Sequence, residues 1–205
     1  MITKIYPQNP NVAEIRKIGD ILRRGGLIIY PTDTLYAFGC SMDFKKTVER
    51  MALLKGTRPE KAKFSLVCSS LSQFSEYSRP LDKDVFQILK NNLPGPYTFI
   101  LNANGNVPRN YQNANKTIGL RVPENPISRA IVEELGSPLV STSVRLENQE
   151  QEQEYLSDPE LIFDLFGNKV DCVIDGGMGT GIASTVVDCS SDEIEVVRET
   201  FEVRW

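Results

Sequence analysis

The stretch IGDILRRGGLIIYP, residues 18–31, places the end of a helix directly before an uninterrupted apolar strand. Apolar side chains recur at helical spacing up to Leu22, and Gly25-Gly26 ends that helix. The run LIIYP at 27–31 has no charged residue at either its odd or its even positions, which predicts a strand buried on both faces. A helix followed by such a strand is the repeating unit of an α/β layered domain.

The same alternation of apolar runs and helical patterns continues along the rest of the chain. Helices are predicted from Asn11 to Gly25, from Asp43 to Gly56, and at 82–92, 125–136 and 158–166. Strands are predicted at 3–6, 27–31, 64–68, 97–103, 117–122, 138–143, 170–175, 184–189 and 194–199. The last strands follow one another at hairpin-like spacing, which favours a mixed sheet. The predicted fold class is therefore α/β (α+β).

Length and composition are those of an ordinary globular chain with one domain. Its 205 residues are 40 % apolar and 24 % charged, and a chain of this size buries roughly 70 % of its unfolded surface. No apolar run approaches the roughly 18 residues that span a bilayer. The N-terminal MITKIYPQNPN has no signal-peptide hydrophobic region. We expect a soluble, cytoplasmic protein with no membrane partner.

The absence of histidine excludes several catalytic classes at once. Ser-His-Asp and Cys-His nucleophile systems, histidine zinc sites and histidine acid–base catalysis all need that side chain. The four cysteines, Cys40, Cys68, Cys172 and Cys189, form no C-x-x-C pair and lie in or beside apolar runs. We therefore expect reduced core thiols and no zinc site.

Charge is distributed unevenly along a chain whose net charge is −4. Residues 43–63 carry seven basic and three acidic side chains, whereas residues 147–164 carry seven acidic and no basic ones. The basic segment suits an anionic ligand such as a nucleotide or an RNA backbone. For Lys45, Lys46 and Arg50 we prefer the alternative, a solvated helix face. The acidic segment predicts an exposed loop.

Two places in the sequence offer cations for an anionic ligand. In KGTRPEK at 55–61, Lys55 and Arg58 flank Gly56, so the two side chains are expected to converge on one phosphate group. The Walker A spacing is absent. Arg121 interrupts the apolar strand TIGLRVP at 117–123, where a charge needs an anionic partner. That partner is either a substrate carboxylate or a carboxylate of the protein itself.

Three polar segments adjoin predicted strands, where loops usually hold binding groups. They are PTDTLYAFG at 31–39, STS at 141–143 and IDGGMGTGIASTVVD at 174–188. The first either binds a ligand or caps a turn. The glycines of the third expose backbone amides suited to an anion-binding nest. This segment lacks G-x-G-x-x-G before a helix, so a Rossmann dinucleotide site is disfavoured.

Five motifs in register resemble those of the YrdC/Sua5 family of threonylcarbamoyl-AMP synthases. They are PTDTLYAFG, PGPYT at 94–98, TIGLRVP, DGG at 175–177 and STVVD at 184–188. The resemblance covers residues 10–200 and looks most like the YciO-like subgroup, which is without the C-terminal Sua5 domain. It implies a single YrdC-like domain with a twisted mixed β-sheet, helices on both sides and a concave basic cleft.

The resemblance also implies a reaction, in which L-threonine, bicarbonate and ATP give threonylcarbamoyl-AMP and pyrophosphate. This nucleotidyltransferase product serves the threonylcarbamoyladenosine (t6A) modification of tRNA position 37. Carried over by motif, Thr34 and Ser184 hold threonine, Arg121 holds its carboxylate, and Lys55 and Arg58 are the catalytic cations. The implied ATP-binding set is Lys55, Arg58, Thr117, Ser141, Ser143 and Arg198. A Mg²⁺ accompanies ATP, mostly water-coordinated and with no protein ligand assigned. Proteins of the t6A pathway are the implied partners.

The sequence departs from the family pattern at the tetrad of Lys-x-Arg and Ser-x-Asn, which here reads Lys55-x-x-Arg58 and Ser141-Thr142-Ser143. Cys68 stands where many members have histidine, and Arg198-Glu199-Thr200 stands where many have Arg-x-Gly. An error of about 1 Å in such geometry costs about 10²-fold in rate. The alternative is therefore a YciO-like paralogue that binds double-stranded RNA, tRNA or a nucleotide with little or no synthase activity. A riboflavin-pathway synthase, a third alternative, needs a histidine that this chain lacks.

Overall fold

The computed structural model describes residues 1–113, 115–147 and 153–205. The strands are β1 (Ile2–Lys4), β2 (Ile28–Tyr30), β3 (Ala37–Ser41), β4 (Ser65–Val67), β5 (Tyr97–Asn102), β6 (Thr117–Arg121), β7 (Leu139–Ser143), β8 (Arg145–Glu147), β9 (Gln153–Tyr155), β10 (Cys172–Asp175), β11 (Thr185–Asp188) and β12 (Glu195–Arg198). The helices are α1 (Val12–Arg23), α2 (Lys45–Leu54), α3 (Leu71–Ser75), α4 (Lys83–Asn92), α5 (Pro126–Leu135) and α6 (Pro159–Phe166), with short 3₁₀ turns at Pro59–Lys61 and Arg109–Tyr111.

Ten of the strands form one mixed sheet in the order β1-β10-β2-β3-β7-β4-β6-β5-β11-β12. Four neighbouring pairs are parallel, namely β1–β10, β10–β2, β4–β6 and β5–β11, and the other five are antiparallel. The remaining strands, β8 and β9, pair with each other as a separate antiparallel hairpin. The predicted mixed sheet in a single α/β domain is confirmed.

Local sequence signals explain where most helices begin. The Asn11 side chain accepts hydrogen bonds from the amides of Ala13 and Glu14, which caps α1. Asn125 caps α5 in the same way, directly before Pro126. The start expected at Asp43 is wrong by two residues, because α2 begins at Lys45 and has no side-chain cap.

The two faces of the sheet carry two separate hydrophobic cores. The first core receives side chains from α2, α3, α4 and α6, and within it the rings of Phe38 and Phe166 meet edge to face at 5.3 Å. The second core receives its helical side chains from α1 and α5. Helices therefore cover both sides of the sheet, as expected for a layer of apolar strands.

The second face is covered only in part. Strand residues of the second core come from β2, β3, β4, β7 and β10, and among the described residues β5, β6 and β11 contribute none. Phe99 of β5 and Leu120 of β6 point the other way, into the first core. Side chains alternate across a strand, so their neighbours Thr98 and Arg121 point to the uncovered half of the second face.

Three features of the fold differ from the sequence prediction. PTDTLYAFG was expected to be a polar segment, but β3 occupies its last residues and is buried along its whole length. The short helix α3 was not predicted. The acidic segment at 147–164 was expected to be an exposed loop before the helix predicted at 158–166, yet it also includes β9. The predicted helix is present as α6, and Asp158 caps it. Its residues 148–152 lie outside the described part. None of the described helices has the length and apolar character needed to cross a membrane.

The four thiols are expected to be unreactive in the native state. All four cysteines are buried and free of disulfides, and burial raises the pKa values of Cys40 and Cys189 to about 12. The thiolate is the reactive form, so little of it exists at pH 8. Ellman's reagent should detect fewer than one thiol per native chain within minutes and four after denaturation in guanidinium. Rapid reaction of a thiol in the native chain would contradict this packing.

Candidate functional site

A cavity of about 270 Å³ occupies the uncovered half of the second face. Its cations are Lys55, Lys63, Arg121 and Arg198, and its side-chain hydroxyls include those of Thr34, Thr98, Ser141, Thr142, Ser143 and Ser184. Among the described residues, no aspartate or glutamate lines it. The expected concave basic cleft is therefore present, with hydroxyl groups between its positive charges.

A glycine in the sheet keeps the floor of this cavity open. A Cβ atom at Gly119 of β6 would lie 2.7 Å from Ser65 Oγ and 3.2 Å from Thr98 Cγ2, on the two neighbouring strands. Contacts this short do not occur between unstrained atoms, so a larger residue here would displace both side chains. Glycine lets β4, β5 and β6 meet below the cavity without filling it.

Of the two partners that the sequence left as alternatives for Arg121, the structure shows the protein carboxylate, that of Asp33. Its Nη2 donates to Asp33 Oδ1 at 2.9 Å and to Thr34 Oγ1 at 2.8 Å. The Arg121 and Asp33 side chains are only 12 % and 10 % exposed. Arg121 also lines the cavity, and its buried Nε has no hydrogen-bond partner among the described residues.

Asp33 joins two chain segments that are distant in sequence. Its Oδ2 accepts a hydrogen bond of 2.9 Å from the amide of Glu124, while Oδ1 holds Arg121. The turn that contains Asp33 is closed by Thr32, whose hydroxyl lies 3.0 Å from the hydroxyl of Thr34 and donates to the carbonyl of Leu35. Thr34 thereby presents its hydroxyl beside Arg121, at the wall of the cavity.

The opposite wall is built around Ser184, just before β11. Its hydroxyl lies 2.9 Å from that of Thr98 and accepts a hydrogen bond of 3.2 Å from Arg198 Nη2. Arg198 Nε also donates to the Ser184 carbonyl at 2.9 Å. Two hydrogen bonds from one guanidinium fix both groups, so the sequence-predicted pair of Ser184 and Arg198 forms a single unit on β11 and β12.

The wall formed by β7 carries the STS motif. The Ser141 hydroxyl lies 2.9 Å from the hydroxyl of Tyr30 and donates to the carbonyl of Phe38. Burial raises the pKa of Tyr30 to about 12, so its phenol stays protonated at neutral pH. The ammonium of Lys55, at the end of α2, donates to the hydroxyl of Thr142. Lys55 and Arg121 both line the cavity, although they are far apart in the sequence.

Two of the predicted ATP-binding residues are not brought to this cavity. Arg58 is exposed, precedes the 3₁₀ turn at Pro59–Lys61, and lines none of the described cavities. The expected convergence of Lys55 and Arg58 is therefore not observed among the described cavities. Thr117 is buried at the start of β6, where its hydroxyl accepts a hydrogen bond from Asn113. Roles for these two residues in binding ATP stay predictions.

Lys63 lines the cavity and was not singled out from the sequence. Lys63, Ser65 and Val67 all line the cavity, whereas Leu66 and Cys68 belong to the first core. This period of two is the signal that identifies Lys63, because it puts alternate residues on one face of β4 and its approach. The same alternation turns Cys68, which stands at the family's histidine position, away from the cavity.

The glycine-rich segment at 174–188 does not present the expected row of amides. The amide of Gly176 donates to the hydroxyl of Tyr36, that of Gly177 to the Asp175 carboxylate, and that of Gly179 to a backbone carbonyl. Because these amides already have protein acceptors, the predicted nest is not formed by them. The segment instead supports the Thr34 turn, since the Thr180 hydroxyl donates to the Thr34 carbonyl at 2.6 Å.

Among the described residues, none that lines the cavity has the carboxylate that Mg²⁺ prefers as a protein ligand. No group of three or more histidine, cysteine, aspartate or glutamate side chains that could hold a metal is found in the described part of the chain. Asp33, the carboxylate nearest to the site through Arg121, has both oxygens engaged. Mg²⁺ requires carboxylate or phosphate oxygens and water. A Mg²⁺ held by ATP stays a prediction, and no protein residue is assigned to it.

Fold and site together define a class of protein, namely a single mixed α/β domain with a concave cavity that is lined by cations and hydroxyls. Comparison with known proteins gives the family. The Sua5/YciO/YrdC family model, described as "Telomere recombination", matches residues 20–200. The uncharacterised protein YciO of Escherichia coli K12 is 43 % identical over 196 residues, which cover 95 % of this chain and 93 % of that protein. The chain belongs to the Sua5/YciO/YrdC family.

Other relatives are more distant or match in structure. The threonylcarbamoyl-AMP synthase of Coxiella burnetii is 30 % identical over 158 residues, which cover 77 % of this chain and 82 % of that enzyme. The crystal structure of E. coli YciO matches with a TM-score of 0.90 at 42 % identity, covering 97 % and 95 % of the two chains. Sua5 of P. abyssi complexed with L-threonine matches with a TM-score of 0.87 at 24 % identity, covering 97 % of this chain and 57 % of that one. This last likeness is one of fold.

The Asp33–Arg121 pair is expected to stabilise the folded chain. Asp33→Asn removes the charge that compensates a buried guanidinium, which costs about 3–5 kcal/mol. Urea unfolding measures the loss, with Glu49→Gln as control because its pair with Lys45 is exposed and is worth less than about 1 kcal/mol. The double variant Asp33→Asn/Arg121→Met should lose less than the sum of the two single variants. Additive losses would contradict a coupled pair.

Proposed function

We propose that this chain is a threonylcarbamoyl-AMP synthase, which converts L-threonine, bicarbonate and ATP into threonylcarbamoyl-AMP and pyrophosphate. The single observation that carries the proposal is that Arg121 with Thr34 and Lys55 with Thr142 line one cavity. One pair suits an amino acid and the other suits a phosphate. Relatives that bear the name of this enzyme, at 30 % identity, support the same activity.

The threonine subsite is assigned to the wall around Arg121. The carboxylate of the amino acid would accept from the guanidinium of Arg121, which lines the cavity. Bonds from the guanidinium to a carboxylate are strong and directional. The hydroxyls of Thr34 and Ser184 line the same cavity and suit the amine and hydroxyl of threonine. That L-threonine occupies a Sua5 protein of the same fold agrees with this assignment.

ATP would lie toward Lys55 and the β7 wall. Lys55 and Lys63 supply positive charge there, and Ser141 and Ser143 supply hydroxyl groups. The predicted ATP-binding residue Arg198 would reach the nucleotide from the wall of β11 and β12, where it holds Ser184. Cations that hold a departing pyrophosphate stabilise the charge that develops as the bond to the α-phosphorus breaks. The family's basic and serine motifs would therefore hold the phosphates of ATP, although Arg58 lies outside the cavity.

The reaction asks for positioning more than for covalent help from the protein. The threonine amine attacks the carbon of bicarbonate to give a carbamate, and the oxygen that is lost leaves as water with the amine proton. A carbamate oxygen then attacks the α-phosphorus of ATP, and the bond to the bridging oxygen of pyrophosphate breaks. Holding the three reactants in the correct relative positions raises the reaction rate by several orders of magnitude. This suits a site with neither histidine nor a reactive thiol.

We propose further that the adenylate produced here serves t6A modification of tRNA position 37. The competing proposal is a paralogue that binds double-stranded RNA, tRNA or nucleotide without this chemistry. The observation that favours it is the exposed basic side chains at Lys61 and Lys63 beside the cavity. Binding of RNA through phosphates falls steeply with added salt and does not depend on threonine. Those two properties separate the proposals.

Pyrophosphate release in the presence of ATP, L-threonine and bicarbonate tests the synthase directly. Lys55→Met should lower the rate by about 10²-fold, since it removes a cation from the departing group. Lys46→Met is the matched control, because Lys46 is exposed on the same helix and lines none of the described cavities. It should leave the rate within twofold of wild type. Release that is no higher than in a blank without threonine would contradict the proposal.

A further inference from the structure

A separate cavity of about 330 Å³ lies beside the first turns of α2. We call it the aromatic pocket. Its apolar lining consists of Val48, Pro59, Phe64 and Tyr111. Among the described residues, Phe64 is the one that it shares with the cavity of the candidate site. Small-molecule sites begin at about this size, so the aromatic pocket has room for a small ligand of its own.

Two buried rings form the inner wall of the aromatic pocket. Phe64 and Tyr111 are 4 % and 3 % exposed, and their ring centroids lie 6.3 Å apart with the rings nearly perpendicular. The hydroxyl of Tyr111 donates to the carbonyl of Met42 at 3.0 Å, which fixes that ring in place. Aromatic rings favour further rings in edge-to-face or offset contact. The inner wall therefore suits an apolar group, and an aromatic one in particular.

The rim of the aromatic pocket carries charges of both signs. Lys45 and Glu49 line it and pair with each other at 3.6 Å. Glu60 and Arg109 also line it, and both are exposed. Neither of these two has an ion pair within the described part of the chain. One carboxylate and one guanidinium therefore remain at the rim without a counter-charge from the protein.

This pattern of charge selects among the possible occupants. A simple anion such as phosphate would be attracted by Arg109 but repelled by Glu60 and Glu49, and a simple cation would meet the reverse. A wholly apolar ligand would leave the two rim charges without partners. A free α-amino acid carries an ammonium and a carboxylate on one carbon atom, next to its side chain. It can therefore meet a carboxylate, a guanidinium and an apolar wall at the same time.

We infer that the aromatic pocket binds a free aromatic α-amino acid. Its ring would pack against Phe64 and Tyr111, its ammonium would lie beside Glu60, and its carboxylate would lie beside Arg109. The inference goes beyond the proposed synthase function, because among the described residues the two cavities have no charged lining residue in common. Binding here needs neither ATP nor the synthase reaction.

Titration of the nitrogen-15-labelled protein with L-phenylalanine, followed by amide chemical shifts, tests the inference. The amides of Glu60, Arg109 and Tyr111 should shift together along one binding curve. A Kd on the order of 1 mM is expected for a ligand of this size at an exposed rim. An excess of L-threonine should leave the curve unchanged, because threonine has no aromatic side chain and is assigned to the other cavity.

Substitutions and ligand analogues separate the two charge contacts. Glu60→Gln and Arg109→Met should each weaken binding of L-phenylalanine about fivefold, the value of one exposed ion pair. Glu60→Gln should not weaken binding of 3-phenylpropionate, which lacks the ammonium. Arg109→Met should not weaken binding of phenethylamine, which lacks the carboxylate. The controls Glu160→Gln and Arg24→Met are exposed and line none of the described cavities, so they should stay within twofold of wild type.

Three outcomes would overturn the inference. The first is that L-phenylalanine shifts no amide at concentrations well above 1 mM, and the second is that it shifts those of Thr34 and Ser184 instead. The third is that 3-phenylpropionate or phenethylamine binds as tightly as L-phenylalanine, which would make the pocket an apolar crevice without recognition of the zwitterion. None of these results bears on the synthase proposal, which is tested by threonine-dependent release of pyrophosphate.

Discussion

The site depends on one buried ion pair, between Asp33 in the turn after β2 and Arg121 at the end of β6. A guanidinium without a counter-charge would be too costly at this depth, so Asp33 is what allows Arg121 to stand at the cavity. The same carboxylate holds the Glu124 amide, and the same guanidinium holds the Thr34 hydroxyl. Arg121 therefore lines the cavity while its charge is compensated by Asp33.

The sheet also contributes to the site, because the helices leave part of its second face uncovered. Helices α1 and α5 cover one half of the second face, and the other half becomes the floor of the cavity. Strands β4, β5, β6 and β11 alternate between the first core and the cavity, so apolar packing fixes the positions of their polar groups. Gly119 keeps the floor low where three strands meet. Hydroxyl groups and cations together then line the cavity.

Much of the fold follows from the sequence because apolar runs and helix caps are local signals. Strands such as β5 and β11 needed only their own residues to be predicted. β3 was missed, since its burial depends on β2 and β7 rather than on a pattern of its own. Arg121 was found as a charge in an apolar strand, but its partner Asp33 could not be identified because it lies 88 positions earlier in the sequence. Arg58 does not line the cavity, although its place beside Lys55 in the motif predicted that it would. Lys63 was overlooked, although alternation along β4 and its approach points to it.

The central claim is that one hollow binds an amino acid and a triphosphate side by side. Thermal unfolding with L-threonine, with a non-hydrolysable ATP analogue and with both tests it most directly, because ligand binding to the folded chain raises Tm. The account predicts that the two ligands together raise Tm by more than the sum of their separate shifts. The account would be contradicted if the nucleotide raised Tm and threonine did not change it, whether or not the nucleotide was present.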